Sequence, residues 1–201
     1  MELEDKLTFK QGIKFINFFI KNYKINNTVL IGITGASGSG KTYFSKELKL
    51  DIISMDDYYK GIDMMDDNNF DNPNAIDFNK FKKDLKLLKL GKVIKKPIYD
   101  FKIHKRVGHN DFSPSKYLIV EGLFVLDKRI IDLFDILIFI EVSKETCLNR
   151  RIKRDIDERG RTKKEIIKQF NLYVWPSYLK YIEPKKKLAK IVKNENSIHI
   201  N

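Results

Sequence analysis

Eight consecutive residues, Gly35-Ala-Ser-Gly-Ser-Gly-Lys41-Thr42, have the spacing G-x-x-x-x-G-K-[ST]. Three glycines let a backbone turn tightly and aim successive N–H groups at one point. A lysine and a hydroxyl follow at once. That set suits the tail of a nucleoside triphosphate: amides and the ammonium of Lys41 around phosphate oxygens, and the Thr42 hydroxyl on a magnesium ion. Gly35, Ala36, Ser37, Gly38, Ser39, Gly40, Lys41, Thr42 and the adjoining Tyr43 are therefore the expected donor site. Such a loop works only between a strand and a helix. Thr28–Thr34 is a short apolar run rich in β-branched residues, and a helix through about Leu48 is expected after the loop.

Carboxylates follow two further apolar runs. DIISM (51–55) leads into Asp56 and Asp57, and YLIV (117–120) leads into Glu121. In an open parallel sheet, ligands bind beyond the carboxyl ends of strands. Phosphoryl transfer needs one acid beside the metal and gains from another that accepts the proton of an attacking hydroxyl. Asp56 is expected to be that base and Glu121 the magnesium-side acid, while Asp57 is read as a cap of the following segment. Arg150, Arg151, Arg154, Arg159 and Arg161 lie within twelve residues. The first three share a broad helix face, and the last two flank Gly160 at an expected hinge. A lid of arginines would cover a γ-phosphate and exclude water.

The elements that must position these groups alternate between strand and helix. DILIFIEV supplies a fourth strand within Leu133–Val142, and Ala189–Val192 reads as an edge strand. Asp77 should cap a helix carrying Phe78, Phe81, Leu85 and Leu88, which Gly91 ends. Residues 61–76 read as a polar loop and 92–112 as a hairpin outside the main sheet. Ser143 should cap a basic helix, and Thr162 should start another towards Tyr173. The expected architecture is α/β: a parallel sheet of about five strands of the P-loop NTPase type, helices on both faces, a substrate hairpin and an arginine lid at about 150–165. Residues 1–27 are read as an N-terminal helical extension packing on the outside, with Phe9, Ile13, Ile16, Phe19, Ile20 and Tyr23 at helical spacing, and 28–201 as the kinase domain.

Composition narrows the context. The 201 residues are 42% hydrophobic and 12% aromatic, enough for a full core. The single cysteine, Cys147, excludes an internal disulfide framework, and Trp175 and Cys147 read as packing residues. The apolar residues of the first turns are interleaved with charge, unlike a secretory leader, and no run spans a bilayer; a cytoplasmic location follows as an expectation. The net charge of +12 reads as lysines spread over solvated faces. A nucleotide-dependent nucleic-acid-binding protein is the rival class. It would leave Asp56, Glu121 and the lid arginines without a task.

These blocks, in this order, resemble the uridine/cytidine kinase family within the phosphoribulokinase–uridine kinase group: GASGSGKT at 35–42, SMDDYYK at 54–60, NFDNPNAID at 69–77, PIYDFKIHKR at 97–106, VEG at 120–122 and RRIKRDIDERGRT at 150–162. The resemblance covers roughly residues 28–195. It implies ATP or GTP as donor with Mg²⁺, a small-molecule nucleoside as acceptor, no membrane partner and compatibility with a homo-oligomer. It implies Asp56 as base for a nucleoside 5′-hydroxyl and Asp71 on the ribose hydroxyls. Tyr59, Tyr99, Phe101 and His104 would face the sugar and pyrimidine, Arg151 and Gln169 would be further substrate contacts, and Arg154, Arg159 and Arg161 would face phosphate. The DDYY of 56–59 departs from the family's usual serine and phenylalanine and is closer to nicotinamide riboside kinases. Nicotinamide riboside, or another hydroxyl substrate, is thus the alternative acceptor.

Overall fold

The computed structural model describes residues 6–22, 27–64 and 69–194. Residues 1–5, Tyr23, the middle of the expected loop 61–76 (65–68) and residues 195–201 lie outside the described residues.

Seven residues, Val29–Gly35, form β2, and every one is buried. Such a run suits a strand covered on both faces and paired with parallel neighbours. Its neighbours are β6 (Tyr117–Glu121) and β7 (Ile136–Glu141), both parallel to it. β3 (Asp51–Ser54) pairs with β6, and β8 (Lys190–Lys193) pairs with β7. A three-residue strand, β1 (Lys6–Thr8), pairs with β8. The result is a six-stranded parallel sheet in the order β1-β8-β7-β2-β6-β3.

One strand more than the expected five comes from the N-terminus. β8 is therefore an inner strand, and β1 takes the edge that sequence alone assigned to Ala189–Val192. Lys-Leu-Thr is too short and too polar to show a strand period. Helix α1 (Phe9–Asn22) follows at once. It buries Ile16, and a Cβ on its Gly12 would meet Val192 of β8 and Phe44. Phe9 packs edge-on against Phe44 at 5.0 Å. The N-terminal segment thus braces α2 (Lys41–Glu47), the helix that opens with the phosphate-loop lysine.

Helix α3 (Phe78–Lys89) is capped by Asp77, whose carboxylate accepts the Lys80 N–H at 3.0 Å. Outside the main sheet, β4 (Ile94–Asp100) and β5 (Lys105–Phe112) form an antiparallel hairpin. Its register slips between Ile98 and Tyr99, leaving Val107 as the extra residue of a bulge. Such bulges re-aim side chains beside a site. Helix α4 (Lys144–Arg159) is capped by Ser143 and ends at Gly160, whose φ is +62°. Helix α5 (Lys163–Gln169) starts from a capping box of Thr162 and Glu165 and continues into π-helical turns at Phe170–Val174. Among the described residues, no helix is long and apolar enough to cross a membrane.

Candidate active site

The carboxyl ends of β2, β3 and β6 open into one cleft of about 2020 Å³, whose other walls are the hairpin and α4–α5. An ordinary single-ligand pocket measures about 300–1000 Å³, so this one has room for a donor and an acceptor together.

The loop between β2 and α2 is shaped by its neighbours. Gly38 has φ +87°, and a Cβ there would lie 2.3 Å from the Cys147 carbonyl oxygen of α4. Gly40 has φ +92°, with a Cβ meeting the Asn194 amide at 2.6 Å. Neither position tolerates an L side chain, so the glycines let the loop pass against α4 and the end of β8. The Ser39 carbonyl accepts bonds from Arg150 and Asn194. The Lys41 ammonium donates to the carbonyls of Gly35 (3.2 Å) and Ala36 (3.0 Å). Burial lowers the Lys41 pKa, opposed by the carboxylates of Glu121 and Asp56.

Glu121 sits at the end of β6 with one oxygen accepting from both the Thr42 hydroxyl (3.4 Å) and the Ser54 hydroxyl (3.3 Å). Burial and the nearby Asp56 push its pKa up. Two hydroxyls around one carboxylate are a hard, all-oxygen donor set. Such sets fit Mg²⁺, which is commonly held by one or two carboxylates and completed by phosphate oxygens and water.

Asp56 follows β3 in a single 3₁₀ turn (Met55–Tyr58), with its N–H bonded to the Ser54 hydroxyl. Desolvation raises its pKa, and the charges of Lys41, then Arg154, then Arg159 oppose the rise. Asp57 points elsewhere: it pairs with Lys96 of β4 at 2.5 Å, and the side chain that caps the 3₁₀ turn is Ser54. Tyr58 and Tyr59 also diverge. Tyr58 is fully buried and donates to Asp84 of α3 at 2.9 Å, whereas Tyr59 lines the cleft.

Aromatic rings make the wall opposite the loop. Tyr59 contacts Phe70 and Tyr99, Tyr99 meets Phe101 edge-on at 5.1 Å, and Phe70 stacks on His104 at 4.7 Å. His104 has φ +51° at the hairpin tip, and its carbonyl accepts the Ile62 N–H. Phe101 remains 40% exposed, with the Arg159 guanidinium 5.5 Å from its ring centre. Asp71 lines the cleft, buried and with its pKa raised by that burial; the strongest opposing charge is Arg151.

The arginines converge. Arg151 donates to the Ser37 hydroxyl (2.7 Å) and to Gln169 (3.1 Å), and Arg161 donates to the same Gln169 oxygen (2.5 Å). Arg154, Arg159, Arg161 and Gln169 all line the cleft. So, of the residues singled out by sequence, Ser37, Gly38, Gly40, Lys41, Thr42, Asp56, Tyr59, Asp71, Tyr99, Phe101, His104, Glu121, Arg151, Arg154, Arg159, Arg161 and Gln169 share one cavity. Gly35, Ala36 and Ser39 form the back of the loop. Tyr43 is not among the residues that line the cavity: its ring packs on Phe9 at 5.5 Å. One helical residue beyond Thr42 turns the side chain through about 100°.

A model of the phosphoribulokinase/uridine kinase family matches residues 30–197. The chain belongs to the phosphoribulokinase/uridine kinase family. This member is 40% identical over 178 residues to a uridine kinase of Clostridium tetani, an alignment that covers 82% of this chain and 85% of the relative. It is 38% identical over 188 residues to uridine-cytidine kinase A of Dictyostelium discoideum, covering 88% of this chain and 38% of that one. A solved structure of a putative fructose transport system kinase from Silicibacter sp. superposes with a TM-score of 0.78 at 17% identity, covering 92% and 98% of the two chains; that likeness shows the fold.

Two residues of this family member escaped the sequence reading. Arg106 of β5 donates to the carbonyls of Tyr59 (3.0 Å) and Tyr58 (2.9 Å) and pairs with Asp77 (3.1 Å), fastening the hairpin to the turn that carries Asp56. Asp155 is fully buried among the arginines. Arg106 ends the segment PIYDFKIHKR, but a basic residue on a hairpin reads as solvated. Replacing Arg106 by Ala is expected to cost about 1–3 kcal/mol of stability and to raise the acceptor KM more than the donor KM. Denaturant melts and initial-rate kinetics check both.

Proposed function

We propose that this kinase moves the γ-phosphoryl group of ATP, or of GTP, to the 5′-hydroxyl of uridine or cytidine, giving the nucleoside monophosphate. One observation carries the reading: Asp56, Lys41 and Arg154 meet in a cleft whose far wall is a cluster of aromatic rings with the acidic Asp71 beside it.

The residues divide the work. The loop amides and Lys41 hold the donor's phosphates. Phe101 and His104 offer a flat face and a directional hydrogen-bonding edge to a base. Asp71 can accept from two vicinal ribose hydroxyls. The Asp56 carboxylate takes the proton as the 5′-oxygen forms its bond to phosphorus and the bond from phosphorus to the β,γ-bridging oxygen breaks. Arg154, Arg159 and Arg161 stabilise the charge of the transferred group and leaving diphosphate. Thr42 and Glu121 would hold a magnesium ion, which when bound neutralises charge on the donor's β- and γ-oxygens.

The base must be ionised to work. Its raised pKa therefore places the acid limb of kcat/KM above the ordinary aspartate range of about 4, with activity rising as pH rises through it. A kcat/KM profile between pH 4 and 9 checks this. ADP production with uridine, cytidine, adenosine, nicotinamide riboside and pantothenate tests the substrate assignment. Turnover dominated by the two pyrimidine nucleosides is expected; turnover confined to another acceptor would displace them.

A further inference from the structure

We infer that Asp155 is the positioning residue of the arginine cluster, a buried counter-ion that holds the guanidiniums converged on the donor site. The inference rests on the phosphoryl-transfer reading above, but not on the identity of the acceptor.

Asp155 belongs to α4 and has no exposed surface. One carboxylate oxygen accepts from Arg154 Nε at 2.9 Å, lies 2.7 Å from Arg154 Nη2 and lies 3.6 Å from Arg159. The other faces Arg151 Nε at 3.4 Å and Arg161 at 3.8 Å. Four cations therefore surround one anion, and three of them (Arg154, Arg159 and Arg161) are the groups assigned to phosphate. Without that anion, guanidiniums this close would repel each other, and the buried Asp155 and Arg151 at the centre of the cluster are the groups solvent screens least. The backbone contributes as well: the Arg161 N–H donates to the Asp155 carbonyl at 3.1 Å, folding the chain beyond Gly160 back over the carboxylate.

The second carboxylate oxygen accepts no hydrogen bond, and Arg151 Nε donates none. Arg151, Arg159 and Arg161 stand at ion-pair distance, not in hydrogen-bonded forks. Asp155 thus gathers them without saturating them and leaves N–H groups for phosphate oxygens. Asp71 is a second carboxylate acting on Arg151, and four guanidiniums against these two acids still leave an excess suited to a polyphosphate.

Asp155→Asn keeps the shape and removes the charge. The expected result is a fall in kcat of about 10²-fold, the size associated with misplaced catalytic groups, with donor KM changed less than threefold. The fall should appear both in acceptor phosphorylation and in acceptor-free ATP hydrolysis. A double-mutant cycle with Arg159→Gln separates positioning from packing. If Asp155 acts through Arg159, the loss caused by Arg159→Gln shrinks at least tenfold in the Asp155→Asn background. Should Asp155→Asn not fold, Asp155→Glu, which keeps the charge but shifts it, takes its place in the same cycle. Equal cost of Arg159→Gln in both backgrounds, or near-normal kcat in Asp155→Asn, overturns the inference. An acceptor panel that stays silent while the hydrolysis cycle shows coupling would sink the nucleoside assignment and leave Asp155 in its role.

Discussion

Asp56→Asn is expected to lower kcat by about 10²–10⁴-fold, the usual contribution of a positioned general base, while ATP affinity stays within about twofold. The substitution keeps the shape of the side chain and the Asp56 N–H bond to Ser54, which belongs to the backbone. What it removes is the negative charge of the carboxylate, and with it the capacity to accept a proton. Desolvation already makes that group reluctant to ionise, and Lys41 and Arg154 offset it. The variant should also lose the acid limb expected of the wild-type profile. Single-turnover kinetics with nucleotide binding followed separately will read both. Near-normal turnover in Asp56→Asn would move the base elsewhere in the cleft.

Arg154→Ala should be the next most damaging change. An arginine that stabilises a transferring phosphoryl group is worth about 10³–10⁵ in rate, and the low end is expected here because Arg159 and Arg161 remain. Arg154 is singled out because it lines the cleft and its charge reaches both Lys41 and Asp56. It is also the arginine most tightly paired to Asp155. Loss of its side chain should therefore act on kcat more than on either KM. A variant whose donor KM rises a hundredfold with unchanged kcat would make Arg154 a binding group instead.

Much of this architecture could be read from the chain because its signals are local. The phosphate loop is contiguous, and β2 and β6 are apolar runs that end at residues of the site, Gly35 and Glu121. The caps Asp77, Ser143 and Thr162 stand where short polar side chains close helix ends. What stayed hidden depends on tertiary closure. Asp155 sits two and three residues from Asp157 and Glu158, which are exposed, and nothing in the sequence separates the one that α4 buries from the two it leaves in water. Tyr58 and Tyr59 are adjacent aromatics. A 3₁₀ turn breaks the strand alternation there, so their opposite fates follow from Asp84 and Phe70, not from their own spacing. β1 is three residues long and exists because β8 offers it an edge. Tyr43 adjoins the motif in sequence, but its ring packs on Phe9 of α1 and does not line the cavity.

In the proposed reaction a phosphate-gripping loop and a base across the cleft act together on a ribose 5′-hydroxyl. Incubation with Mg-ATP and uridine, followed by phosphorus NMR and mass analysis, tests it most directly when paired with 5′-deoxyuridine. UMP and ADP in equal amounts are expected from uridine, with no phosphorylated product from 5′-deoxyuridine and competition between the two. ADP formed without any nucleoside monophosphate, or a phosphorylated product from 5′-deoxyuridine, would contradict it.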